Sequence, residues 1–281
     1  MKPITMEQIA GMNMHYQRYS FEYFLDSMVR LGIRNFELWA GAPHFCQTFS
    51  SISQVSELKR QVKERDLNIV CVTPEQCVYP YNIAAKDDVI RQKSIEYFCQ
   101  YIRQTAELEV DKMLCTSGWG HYDEPHEEAW KRSVDSLYQM SKVAEKEGVI
   151  LTFEILLPEE TNLVNNFEST KRIMKDLTSP NVKCCIDSVP VCFEGKKLED
   201  YFEAFGERVI HIHLNDGRPD GHLTWGDGEQ PLEEHLAALS KYDYSGSITL
   251  ELGDPSYYLD AEQHLKRGLD TLGKVLPYTG A

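Results

Sequence analysis

Short apolar runs alternate along the chain with longer segments in which apolar residues return every three or four positions. A short run bounded by turn residues predicts a strand, and the longer period predicts a helix packed on one face. The strand-like runs are Gln8–Met14, Asn35–Trp39, Leu67–Thr73, Lys112–Ser117, Ile150–Leu156, Val182–Asp187, Val209–Asn215 and Ser247–Leu252. Helical segments follow each, over 20–31, 52–65, 86–108, 125–147, 167–177, 197–204, 231–240 and 257–276. Asp123-Glu124-Pro125 puts acids and a proline at a helix start, where unpaired N–H groups favour negative charge and proline's missing donor is not needed. Leu137, Met140, Ser141 and Ala144 continue that helix, and Gly148 stops it, as Gly32 does after Leu31. Eight strand–helix units in 281 residues average about 35 residues, the size of a βα repeat. Eight parallel strands joined by helices can close into a ring. The expectation is an α/β fold, a (β/α)8 TIM barrel, with residues 1–281 as a single domain. An open doubly wound sheet is the competing layout, but no GxGxxG loop follows the first strand.

Charge and cysteine content narrow the function classes. Lys and Arg total 29 against 44 Asp and Glu, a net charge of −15. Nucleic acid is a poor partner for that sum, and no basic cluster offsets it. No apolar run reaches membrane-spanning length, so no membrane partner is expected. Met1 to Ala10 carries Glu7 and lacks a basic start followed by an apolar stretch, which speaks against a secretory leader. The eight cysteines, Cys46, Cys71, Cys77, Cys99, Cys115, Cys184, Cys185 and Cys192, include no CxxC pair. Several lie in apolar runs and read as buried reduced thiols, so a reducing cytoplasm is expected.

In a closed barrel the functional groups gather at the C-terminal strand ends. At or near the ends of the last four runs stand Glu154, Asp187, His213 and Glu251. Singly, each acid reads as a cap or salt-bridge partner and each histidine as a core residue. Together they form an arc on consecutive strands about 4.8 Å apart, from which side chains can converge on one ion. Three crowded carboxylates repel one another unless one stays protonated or a cation intervenes. Three oxygens and one imidazole suit a single Mn²⁺, Mg²⁺ or Co²⁺ better than a thiolate-loving ion. Cys184 and Cys185 are adjacent, so at most one faces inward beside Asp187. His211 shares the parity of His213 and lies one layer lower, as packing or as a donor behind the ligands.

Glu154 and Glu251 stand three strands apart and would approach a substrate from different sides. One carboxylate can remove a proton beside a carbonyl while the other returns one to the opposite face. A metal gripping the carbonyl and neighbouring hydroxyl would stabilise the enediolate. The plain alternative is that both are ligands only and another group moves the proton. The mouth also suits a sugar, with aromatic and hydrogen-bonding residues in its loops. Trp39 and His44 follow the second run, Glu75 and Tyr81 the third, and Trp119 the fourth; each aromatic taken singly reads equally well as packing. Trp225-Gly226-Asp227-Gly228-Glu229 predicts a tight turn, with a phosphate cradle as the weaker reading.

These residues resemble the xylose-isomerase-like, or AP-endonuclease-family-2, TIM barrels. The quartet Glu154, Asp187, His213 and Glu251 and the turn at Gly226-Asp227-Gly228 carry the resemblance. Within that group the chain is most similar to fructoselysine 3-epimerases, with ketose 3-epimerases of the tagatose and psicose type next. The local matches are Phe36-Glu37-Leu38-Trp39 with Pro43-His44, Thr73-Pro74-Glu75 with Tyr79-Pro80-Tyr81-Asn82, and Asn162–Val164. The resemblance implies a metal-dependent epimerase inverting C3 of a ketose or ketosamine. An aldose–ketose isomerase or an inosose-type dehydratase on the same site is the alternative. It implies a substrate-binding role for Glu160, six residues after the first ligand. The family's histidine three residues after the metal aspartate is replaced by Pro190. Its arginine falls at Pro219, with Arg218 one position away as the substitute. A homo-oligomer also accords with the resemblance. A trinuclear zinc endonuclease needs more histidines and a basic groove. A sugar-binding protein with a dead site is opposed by the glutamate pair.

Overall fold

Eight parallel strands close into a barrel in sequence order, with β1 (Ile9–Met12) paired to both β2 (Asn35–Ala40) and β8 (Ser247–Thr249). Between them run β3 (Asn68–Pro74), β4 (Lys112–Cys115), β5 (Ile150–Glu154), β6 (Val182–Asp187) and β7 (Val209–His213). The computed structural model describes residues 2–46, 52–77 and 80–277. The helices are α1 (Phe21–Arg30), α2 (Ile52–Glu64), α3 (Asp88–Glu107), α4 (His126–Glu147), α5 (Phe167–Asp176), α6 (Ser188–Phe193), α7 (Leu198–Phe205), α8 (Leu232–Lys241) and α9 (Ala261–Leu272). This is the expected (β/α)8 barrel in one unit.

The expected helix stops are physical ones. Gly148 ends α4 with φ 73° and its N–H on the carbonyl of Ala144, a left-handed cap that glycine adopts without strain. The expected helix over 257–276 is shorter. Pro255–Leu259 makes a separate 3-10 turn, capped by Asp254, before α9 begins. The expectation missed α6, which follows β6 with no loop: the carboxylate of Asp187 accepts the N–H of Val189 and caps it. A short segment with a proline inside carries too little periodicity to be read as helix.

Packing divides into two zones. Between barrel and helices the buried side chains are mainly apolar, among them Phe24, Leu25, Met28, Leu137, Met140, Leu265 and Leu272. Inside the barrel they are largely polar: Glu37, Cys71, Thr152, Cys185, His211 and Thr249 are all buried. Contacts between strands that are not neighbours identify this interior. Cys71 Sγ lies 3.8 Å from Thr152 Oγ1, and His211 Nε2 lies 2.6 Å from Glu37 Oε2. Two register shifts fall beside the upper end of this column, at Phe36/Glu37 and at Cys184/Cys185. Bulges of this kind re-aim side chains next to functional sites.

Candidate metal centre

At the C-terminal rim, Asp187 and His213 are register partners on β6 and β7. Glu154 ends β5. Glu251 lies two residues beyond β8, and its N–H is held at 2.8 Å by Asn215 Oδ1. The four side chains offer ligand atoms that all lie within 4.8 Å of one another. The structure therefore brings together all four residues expected to hold a metal.

The imidazole of His213 sets the geometry. Its Nε2 lies 3.1 Å from both carboxylate oxygens of Glu37. A carboxylate only accepts, so Nε2 carries a proton, and in the neutral ring that a metal requires it is Nδ1 that keeps the lone pair. That Nδ1 is buried and makes no hydrogen bond among the described residues. Yet Glu154 Oε1 lies 2.7 Å and Glu251 Oε2 2.8 Å from it. A lone pair and two carboxylate oxygens facing one another without hydrogen bonds fit a shared cation. The donor set, three carboxylates and an imidazole, fits a hard or borderline divalent ion.

The titration behaviour of these groups has the same cause. Burial and the neighbouring carboxylates of Glu251 and Asp187 outweigh the help of His213 and push Glu154 up to about 8. Burial disfavours charge on His213, but Cys185, Glu37, Glu251 and Glu154 around it raise its pKa well above the usual value. Burial also penalises the Glu37 carboxylate. The imidazoles of His213 and His211, with their hydrogen bonds, more than offset that and hold it well below its usual range. Thr73 Oγ1 donates to Glu37 as well, so this carboxylate anchors three donors beneath the quartet.

Sequence reasoning quoted Glu37 only as part of a local match and missed His222 altogether. The signal for Glu37 was an acid at an inward position of an otherwise apolar strand. His222 Nε2 lies 2.7 Å from Asp187 Oδ2 and 3.7 Å from Glu251 Oε2. Burial works against its charge, but Asp187 prevails and raises it to about 10. It sits in the long β7–α8 loop, where no periodic pattern points to it.

A cavity of about 220 Å³ opens over the quartet. At about 30 Å³ per water, that is room for a small polyol rather than an oligosaccharide. Its lining includes Trp39, Glu75 and Glu160 of the expected substrate residues. Trp39 Nε1 donates to Glu75 Oε2 at 3.0 Å, and Glu160 Oε2 accepts the N–H of Leu157 at 2.9 Å. His44, Tyr81, Trp119 and Arg218 are not among the lining residues. His44 has both ring nitrogens engaged, accepting from Asn13 Nδ2 and donating to the carbonyl of Tyr19. Tyr81 stacks on Tyr97 with centroids 3.7 Å apart, and Trp119 is 39% exposed. Arg218 borders a separate groove with Pro219 and Gln230. Val78 and Tyr79 lie outside the described residues.

The glycine turn is not a phosphate cradle. The N–H groups of Gly217, Gly226, Gly228 and Gln230 all point at the carboxylate of Asp216, at 3.0, 2.9, 2.8 and 2.9 Å. The anion this nest would bind is already supplied by the chain.

Residues 25–275 match the family of xylose isomerase-like TIM barrels. The chain belongs to that family. It is 25% identical over 264 residues to a fructoselysine 3-epimerase of Shigella flexneri, covering 93% of this chain and 95% of the relative. It is 32% identical over 159 residues to an inosose isomerase of Bacillus subtilis, covering 53% and 57% of the two chains. A solved D-psicose 3-epimerase with D-tagatose, from Clostridium cellulolyticum H10, superposes with a TM-score of 0.80 at 21% identity over 96% of this chain and 99% of that one. That last likeness is one of fold. The named relatives are epimerases and isomerases, and the chain is an isomerase-type enzyme among them. Among the described residues no helix is long and apolar enough to cross a membrane.

Proposed function

We propose that this chain is a divalent-metal-dependent epimerase that inverts C3 of a ketose or ketosamine by proton transfer between Glu154 and Glu251. The observation that carries the reading is the pair of contacts at His213 Nδ1, where the two glutamates meet from separate strands. Glu154, Asp187, His213 and Glu251 would hold the ion. When bound, the cation would offset the negative charge that develops on the substrate as its C3 proton leaves.

The chain's own groups do the rest. Each glutamate has two oxygens, so one can face the ion while the other reaches the substrate carbon. One takes the proton as general base, and the other delivers a proton to the opposite face. Asp187 and His213 hold position without moving protons. Trp39 offers an apolar surface, with Glu75 behind its indole N–H. Glu160 is pushed up by burial and presents a carboxyl group to substrate hydroxyls. Of the other expected contacts, Arg218, His44, Tyr81 and Trp119 would act only from outside the cavity lining. The thiol-rich chain has no disulfide, which suits a reducing cytoplasm. A homo-oligomer is not needed to complete this site, since all four ligands come from one chain.

The similarity to an inosose isomerase favours a second reading, in which the same site moves a carbonyl between neighbouring carbons. One experiment separates them. Purified protein with Mn²⁺ is given fructoselysine, D-psicose, D-tagatose and an inosose in deuterium oxide. The epimerase reading expects turnover of at least one ketose or ketosamine with solvent deuterium at C3 alone. Glu154→Gln and Glu251→Gln each abolish it. Near-normal turnover by either variant ends the two-glutamate mechanism, and turnover of the inosose alone selects the second reading.

A further inference from the structure

The cavity over the quartet is lined by five acids, Glu75, Glu154, Glu160, Asp187 and Glu251. No lysine or arginine appears among the described lining residues, and His222 is the one basic side chain there. Its Nε2 is committed to Asp187 at 2.7 Å. The printed contacts of the ring are all at Nε2, and the other nitrogen, Nδ1, has no partner among the described residues. The side chain is 21% exposed and belongs to the cavity lining.

The backbone fixes this placement. Asp216 and Leu223 exchange two hydrogen bonds, at 3.0 and 2.9 Å, and form an antiparallel bridge across the base of the loop. The carbonyl of His222 accepts the N–H of Gly253 at 2.9 Å. A Cβ on Gly253 would stand 3.3 Å from Cβ of His222, closer than most side chains tolerate, so glycine there lets the histidine lie against the strand-eight rim. The Asp216 nest closes the far end of the same loop. An imidazole on a loop pinned by three backbone hydrogen bonds and the Asp216 nest is pre-organised to bind.

We propose that His222 is a specificity-determining substrate contact that holds a hydroxyl group through Nδ1 while Nε2 stays on Asp187. The assignment rests on the sugar-binding reading of this cavity. A hydroxyl both donates and accepts, so it pairs with Nδ1 whether or not that atom carries a proton. The contact discriminates because a substrate lacking that hydroxyl would leave Nδ1 unpaired beside buried acids. The ligand is thus a polyhydroxylated carbonyl compound with a hydroxyl within reach of Nδ1.

The test uses Mn²⁺-saturated protein titrated with D-psicose, D-tagatose and fructoselysine, read as a thermal shift and, where turnover occurs, as KM and kcat. His222→Leu keeps the bulk and removes both nitrogens; His222→Gln keeps a polar tip. The wild type shows a saturable shift with at least one compound. His222→Leu needs at least 10-fold more of it, even with Mn²⁺ raised until the metal site is full, and His222→Gln recovers part of the loss. An unchanged midpoint in His222→Leu overturns the assignment. So does a loss that disappears at saturating Mn²⁺, because His222 would then act only through Asp187. A wild type with no saturable response to any of the three overturns it too. Failure of the epimerase reading looks different: saturable binding in the wild type, with no deuterium entering C3.

Discussion

Glu37 and Glu154 are both buried acids within one small site, yet they titrate in opposite directions. Glu37 meets two imidazoles and a hydroxyl and stays ionised. Glu154 meets other carboxylates and is raised to about 8. The difference lies in the neighbours, and it makes one of them an anchor and the other a group ready to exchange a proton. As anchor, Glu37 fixes which nitrogen of His213 faces the ion. Glu37→Gln should therefore weaken Mn²⁺ binding by about 10- to 100-fold, the usual cost of losing a group behind a ligand. Titration followed by the loss of free Mn²⁺ resonance would check it, and an unchanged affinity would show that the tautomer is held by other means. The protons themselves give a second expectation. Without metal, Glu154 is protonated below about 8 and His213 is charged over a wide range. A cation needs both deprotonated, so its binding expels protons. Affinity should rise with pH through about 8, and calorimetry in buffers of different ionisation enthalpy should count more than one proton released per ion near pH 6.

At the level of elements, helix ends and strand ends differ in how much they reveal. Gly148 marks the end of α4 because its φ of 73° costs glycine less than a residue with a Cβ, and nothing lies within 4 Å of where a Cβ would be. Gly148→Ala should then cost only the backbone strain, about 1 kcal/mol. Urea unfolding should show that loss with turnover unaffected; a larger loss would mean that contacts as well as conformation are at stake. The quartet was legible for a related reason. An ionisable residue closing an apolar strand stands out, and Asp187 and His213 proved to be register partners. Glu251 was read as lying inside the last strand, but β8 ends at Thr249. Its position comes from Asn215, a tertiary contact that no local pattern encodes. His222 escaped notice for the same reason, as did the engagement of His44 outside the cavity lining. Asn13 and Tyr19, distant in sequence, take up both nitrogens of that ring. Local periodicity reports which face of an element is buried, while partners across a loop are set only by the closed barrel.

For the molecule as a whole, the net charge of −15 and the acid lining of the cavity act in the same direction. Five lining carboxylates outnumber the positive charge that one divalent ion and His222 together would bring. A substrate bearing a phosphate enters against that field. Each like-charge pair about 8 Å apart costs about 0.5 kcal/mol in water and about 2 kcal/mol at the effective dielectric of a protein surface. Several such pairs make a discrimination of at least 10-fold. A ketosamine carries its amine into the same field at no such cost. The 6-phosphate of any ketose that is turned over should therefore show a KM at least 10-fold above that of the parent sugar, while a ketosamine should show none of this penalty. Raising the salt from about 0.02 M to about 0.5 M shortens the screening length to a few ångströms and should shrink the difference. A phosphate ester accepted as readily as its parent at low salt would mean that a basic group reaches the mouth from outside the lining described, with Arg218 the first residue to substitute.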